Sequence, residues 1–184
     1  MTSPTWRRAL VLGGTRSGKS EFAESLLAGA TTVRYVATGW RDRADTAWER
    51  RIDAHRARRP ASWSTVEVGN DPWRLPAVLS GADPTESLLV DELGTWVGAV
   101  MGITGDEQDL PVDRMTNELG AAVRACPATL VLVSPEVGLA PVALTPAGRR
   151  FVDALGATNI AVAAACDVVS LVIAGNAVPV KGGL

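Results

Sequence analysis

Gly13-Gly14-Thr15-Arg16-Ser17-Gly18-Lys19-Ser20 reads G-x-x-x-x-G-K-S, a complete phosphate-binding loop, or P-loop. The apolar run Ala9-Leu10-Val11-Leu12 before it suits a buried first strand. After it, Phe22, Leu26 and Leu27 share one face of a helix. Strand, glycine loop and helix start form the context that this motif requires. Gly13 and Gly18 let the backbone turn so that successive N–H groups point at one anion. The positive end of the helix dipole adds to that field. Lys19 is placed to reach β- and γ-phosphates, and the Ser20 hydroxyl to ligate Mg2+.

Working outward, the chain of 184 residues is long enough for one domain with a sizeable core. Its hydrophobic share is 47% and its charged share 21%, ordinary values for a globular protein. The net charge of −2 supplies no global field for nucleic acid, so no nucleic-acid partner is expected. Lys19 and Lys181 are the only lysines among many arginines, a bias that genome composition can produce. Cys126 and Cys166 stand in apolar surroundings without C-x-x-C spacing, as buried free thiols of a reducing compartment would. Met1 to Trp6 lacks a basic start followed by an apolar run, and no apolar run reaches the ~18 residues of a membrane span. A cytoplasmic protein is expected.

Thr32 to Ala37 reads as a second strand, ending at Thr38-Gly39. The charged stretch from Arg41 to Arg59 predicts a helix over about 44–57, limited by Pro60. Trp63 to Val68 alternates and predicts a third strand. Asp71-Pro72 resembles an N-cap with proline in the first helical position, so a short helix is expected from Asp71. Leu88-Leu89-Val90-Asp91 is an apolar strand ending in an acid, the form of a Walker B strand whose aspartate serves the Mg2+ shell. Gly102 to Pro111 reads as a loop, Val112 to Ala125 as a helix, and Ala128 to Ser134 as another buried strand. Thr145-Pro146 opens a long helix to about Ala165, with interruptions expected at Gly148 and Gly156. Val168 to Ile173 reads as a strand, and Gly175-Asn176 suits a two-residue turn into Ala177 to Val180. Pro179 restricts that last strand to an edge. Strands alternating with helices predict an α/β fold, a mostly parallel P-loop NTPase-like sheet with an antiparallel C-terminal edge hairpin, in a single domain over residues 1–184.

His55 is the sole histidine, one face of its predicted helix carrying Trp48 and Ile52. Such a residue is often a satisfied, partly buried imidazole. Here Arg51, Arg56, Arg58 and Arg59 surround it, a plausible clamp for a polyphosphate. Neighbouring cations disfavour imidazolium, and a neutral ring is what attack on phosphorus needs. Part of the arginine run also serves as a solvated face, with Asp42, Asp45, Glu49 and Asp53 as partners. From these residues alone, a P-loop kinase for some small hydroxyl compound and a P-loop NTPase acting as a regulatory binding protein both remain open.

Taken together, the motifs resemble the bifunctional adenosylcobinamide kinase/adenosylcobinamide-phosphate guanylyltransferase family of cobalamin biosynthesis. The resemblance runs through G-G-x-R-S-G-K-S at Gly13 to Ser20 and Y-[IV]-A-T at Tyr35 to Thr38. It continues in R-I-x-x-H-x-x-x-R-P-x-x-W-x-T-x-E, matched by Arg51, Ile52, His55, Arg59, Pro60, Trp63, Thr65 and Glu67. Leu89-Val90-Asp91, Leu130 to Ser134, Glu136-Val137-Gly138, Asn159 and Ala163 to Asp167 resemble later family segments. Departures gather in the second half. Pro135 replaces an asparagine, Gly98-Ala99 a T-N pair, Val152 an arginine, and Ala157 and Ile160 the outer residues of R-x-N-Q.

The resemblance implies two nucleotide-dependent transfers, one to adenosylcobinamide and one to its phosphate, with GTP and ATP as substrates and Mg2+ as cofactor. It implies His55 as the residue that becomes covalently guanylylated. It implies nucleotide contacts at Gly13, Gly14, Thr15, Arg16, Ser17, Gly18, Lys19, Ser20, Thr38, Gly39, Trp40, Arg56, Ala57, Arg58, Arg59, Glu67 and Asp91, with Ser20 and Asp91 holding the metal. It also implies a homo-oligomer, a trimer.

Overall fold

Strand β1 (Arg8–Gly13) alternates small and branched apolar side chains, so both of its faces are dry. Ala9 and Val11 enter one apolar cluster and Leu10 the other. The same division runs through β2 (Val33–Ala37), β4 (Ser87–Asp91) and β5 (Thr129–Pro135): Val36, Leu88, Val90, Leu130 and Leu132 face one side, Tyr35, Leu89, Val131 and Val133 the other. Burial on both faces is what parallel strands of an α/β sheet require. With β3 (Ser64–Glu67), β6 (Val168–Ile173) and β7 (Asn176–Lys181) they form a seven-stranded sheet in the order β3-β2-β4-β5-β1-β6-β7. Only β7 is antiparallel. The computed structural model describes residues 5–39, 57, 59–69, 71–102, 112–141 and 143–183.

Helix α1 (Lys19–Leu26) covers one face through Ala23, with Phe22 and Leu26 packed against the cluster. The opposite face is covered by α2 (Arg74–Ser80), α3 (Leu93–Val100), α4 (Val112–Ala125) and α5 (Pro146–Ala165), whose Leu75, Trp96, Met115, Leu119 and Leu155 are fully buried. Full burial of such side chains contributes roughly 1.5–3 kcal/mol each. Cys126 and Cys166 are buried and free, as expected. No described helix is long and apolar enough to cross a membrane.

Several local expectations are corrected. The helix foreseen from Asp71 starts at Arg74. Asp71 instead closes a turn, its carboxylate accepting from the Trp73 amide at 3.1 Å and its carbonyl from the Arg74 amide at 3.1 Å. Helix α5 runs unbroken past Gly148 and Gly156. Its Thr145 cap accepts from the Gly148 amide at 3.0 Å, so Gly148 belongs to the first turn. The edge hairpin turns one residue earlier than Gly175-Asn176. Ile173 pairs with Asn176, and Ala174 and Gly175 take the two positive-φ positions, 50° and 80°. Helix α3 is an addition to the elements expected from the sequence. His55, Trp40, Arg56, Arg58 and the loop expected beyond Gly102 lie outside the described residues; Ala57 is helical and exposed.

Candidate functional site

The P-loop leaves the carboxyl end of β1, the central region of the sheet, where ligands of open α/β sheets collect. Two of its glycines are obligatory for different reasons. A Cβ on Gly13 would lie 2.4 Å from Ser17 Oγ and 2.9 Å from the Val172 carbonyl oxygen. Gly18 caps α1 at φ 93°, where a side chain is strained. Arg16 adds a second left-handed turn at φ 58°. The hairpin turn between β6 and β7 braces the loop from outside: the Gly175 amide donates to the Ser17 carbonyl at 2.8 Å. The Ser17 side chain is buried inside the loop and accepts from the Lys19 amide at 3.3 Å.

Asp91 ends β4, separated from β1 by β5, and reaches the start of α1. The Ser20 hydroxyl donates to Asp91 Oδ1 at 3.4 Å. The Tyr35 hydroxyl donates to Asp91 Oδ2 at 2.9 Å. Burial, with the Asp91 charge second, pushes the Tyr35 phenol far above its ordinary pKa, so it remains a donor. The Arg59 guanidinium lies 3.5 Å from the centroid of the Tyr35 ring, a cation–π stack. Next in sequence, Glu92 Oε2 is 3.3 Å from Lys19 Nζ.

Thr38 fastens the end of β2 to this corner. Its hydroxyl contacts the Glu92 carbonyl oxygen at 2.5 Å and Thr95 Oγ1 at 2.7 Å, and its side chain is buried. Gly39 follows it, half-buried. Glu67 ends β3 opposite Ala37, which in turn pairs with Asp91, so the ends of three strands align at one rim. The structure therefore brings together the P-loop, Thr38, Arg59, Glu67 and Asp91 from the residues the sequence nominates.

Three participants escape sequence reading: Tyr35 as a partner of Asp91, Glu92 as the partner of Lys19, and Thr95 as the partner of Thr38. The signals existed in part. Glu92 directly follows the Walker B acid, and Tyr35 is the only tyrosine of the chain. Among the described residues no cluster of three or more His, Cys, Asp or Glu could hold a metal by itself. A hydroxyl and a carboxylate oxygen 3.4 Å apart beside a phosphate loop fit Mg2+, which takes few protein ligands and completes its shell with phosphates and water.

A family model described as cobinamide kinase / cobinamide phosphate guanyltransferase matches residues 9–180. The chain is 41% identical over 177 residues to a protein of Pseudomonas aeruginosa named bifunctional adenosylcobalamin biosynthesis protein CobP, covering 95% of this chain and 98% of that one. It is 37% identical over 184 residues to the bifunctional adenosylcobalamin biosynthesis protein CobU of Salmonella typhimurium, covering 94% and 98%. Among solved structures, the type III secretion ATPase EscN of enteropathogenic E. coli superposes with a TM-score of 0.55 at 12% identity, over 92% of this chain and 43% of that one. A second solved structure, of a prototypical ATPase from the type III secretion system of pathogenic bacteria, gives 0.54 at 13%, over 90% and 50%. At such identities these structures share the fold alone.

Proposed function

This chain belongs to the cobinamide kinase/cobinamide phosphate guanyltransferase family, and from that premise we propose that one P-loop serves both of its transfers, the second through a covalent GMP on His55. It is a nucleotide-dependent transferase of cobalamin biosynthesis, with adenosylcobinamide and adenosylcobinamide phosphate as its small-molecule substrates.

In the kinase step the loop amides and Lys19 hold the polyphosphate of GTP or ATP, and Ser20 and Asp91 would hold Mg2+, which would supply charge compensation for the transferring phosphoryl group. The hydroxyl of the aminopropanol arm of adenosylcobinamide attacks the γ-phosphorus, the β–γ bridging P–O bond breaks, and nucleoside diphosphate leaves. Positioning and charge stabilisation are the main needs of such a transfer.

In the guanylyl step the His55 imidazole nitrogen attacks the α-phosphorus of GTP. A P–N bond forms, the α–β P–O bond breaks, and pyrophosphate leaves. A phosphate oxygen of adenosylcobinamide phosphate then attacks the same phosphorus, the P–N bond breaks, and adenosylcobinamide-GDP is released. Arg56, Arg58 and Arg59 follow His55 in sequence and clamp phosphate oxygens; Gly39, Trp40, Ala57 and Glu67 complete the nucleotide's surroundings, and Thr38 holds the rim. We place the activity in the cytoplasm, in a single P-loop domain over residues 1–184, assembled as a homotrimer.

The observation that carries this reading is the meeting of Ser20 and Asp91 beside Lys19, in a chain that also matches the histidine motif. Purified protein given adenosylcobinamide, nucleoside triphosphates and Mg2+ should yield the phosphate and then adenosylcobinamide-GDP, resolved by chromatography and mass. Nucleotide hydrolysis without either product would favour a regulatory P-loop protein.

A further inference from the structure

We propose that Tyr35 is a positioning residue that sets the orientation of the Asp91 carboxylate toward the metal and ties Arg59 to the same point. The proposal rests on the reading of Asp91 as a magnesium ligand.

Tyr35 sits in β2 opposite Leu89 of β4, two residues before the pair Ala37–Asp91. Its ring is packed in the apolar cluster with Val11, Ala23, Leu89 and Val133, and the residue is 6% exposed. Phenylalanine would fill that space equally well, so the hydroxyl needs a separate reason. It has one in Asp91. The terminal torsion of an aspartate is broad, and nothing in the side chain itself chooses which oxygen faces a ligand. With Oδ2 accepting from the Tyr35 hydroxyl, Oδ1 is the oxygen presented to Ser20. Carboxylates that ligate metals are commonly held by such an outer hydrogen bond.

Arg59 meets the same side chain from the ring face. Its guanidinium stacks on the Tyr35 ring. Arg59 belongs to the motif that contains His55, four residues before it. One phenol thus touches both the residue that serves the metal and the motif that serves guanylyl transfer.

The test is Mn2+ titration of the GDP complex, read from the EPR signal of free Mn2+, for the parent, Tyr35→Phe and Asp91→Asn. The expected result for Tyr35→Phe is Mn2+ binding weaker by about tenfold, with metal-free GDP affinity unchanged. Normal Mn2+ affinity in Tyr35→Phe beside weakened binding in Asp91→Asn overturns the proposal and leaves Asp91 as a ligand. Normal affinity in both variants overturns the two together. A second measurement needs no substitution. Tyr35 is the sole tyrosine, so 3-fluorotyrosine incorporation labels it alone. Mg2+ with GDP should shift its 19F resonance and Mn2+ with GDP should broaden it; a resonance indifferent to both metals contradicts the proposal.

Discussion

The Lys19 ammonium lies 3.3 Å from the Glu92 carboxylate, and both side chains are largely shielded from water, at 11% and 29% exposure. The cation that a polyphosphate needs is therefore already paired with an anion of the protein. Lys19→Ala removes a charge-assisted contact to phosphate worth about 1.5–3 kcal/mol, or roughly 10- to 150-fold in GTP affinity. Glu92→Gln removes the competing carboxylate and should tighten metal-free GTP binding by about two- to fivefold, the scale of a partly exposed ion pair. Calorimetric titration of both variants checks the pair. Parent-like GTP binding in Lys19→Ala would contradict the role given to the loop.

Gly13 offers a second test, of geometry rather than charge. An alanine there must displace Ser17 Oγ or the Val172 carbonyl, both closer than any normal Cβ contact. The expected cost is about 1–3 kcal/mol of stability, together with loss of tight nucleotide binding. Gly14, with open space around it, is the control: Gly14→Ala should lower the melting temperature far less.

Much of this corner was legible in the sequence because its signals are local. The strand before Gly13, the Walker B strand to Asp91 and the edge position of Pro179 all follow from short patterns. Helix α3 did not, although Leu93, Trp96, Val97 and Val100 fall at i, i+3, i+4 and i+7 on one face, because Gly94, Thr95 and Gly98 weaken the helical propensity of so short a stretch. Packing overrides propensity there: Leu93, Trp96, Val97 and Val100 are all buried. Asp71 misled for a different reason, as its side chain and carbonyl satisfy a turn before the helix begins. The contacts Tyr35–Asp91 and Lys19–Glu92 depend on which strands become neighbours, and no pattern within one strand contains that.

Asp167 joins the start of β6 to the start of β1 by accepting from the amides of Arg7 and Arg8 at 2.9 and 2.8 Å. Slight burial raises its pKa, but those two amides and the Arg8 charge outweigh it and hold the carboxyl below its usual value. A depressed folded-state pKa means that stabilisation is present above the ordinary value near 3.9 and is lost as pH falls through the folded value. Asp167→Asn should therefore be less stable than the parent at pH 7 in urea denaturation, and the gap should close in acid. The side chain is 43% exposed, so the gap will be modest. A gap independent of pH would contradict the assignment.

The departures in the second half of the chain should weaken the corrinoid side rather than the nucleotide side. The Pro135 carbonyl accepts from Asn159 Nδ2 at 3.1 Å, while Ile160 is 74% exposed with no polar contact to give. Restoring polar groups through Pro135→Asn, Ala157→Arg and Ile160→Gln should raise kcat/KM for adenosylcobinamide by about fivefold, the worth of one hydrogen bond, and leave GTP affinity alone. Full and equal turnover of adenosylcobinamide and its phosphate by the parent would show these positions to be neutral.

The covalent step is open to a single measurement: the mass of the denatured protein after incubation with GTP and Mg2+. The expected result is a gain of one GMP less water, stable in alkali and lost in acid, because protonating a P–N nitrogen makes it a good leaving group. His55→Asn should show no gain and no guanylyl transfer, while phosphorylation of adenosylcobinamide survives. An unmodified parent mass, an acid-stable adduct, or guanylyl transfer that persists in His55→Asn would contradict the GMP–histidine route.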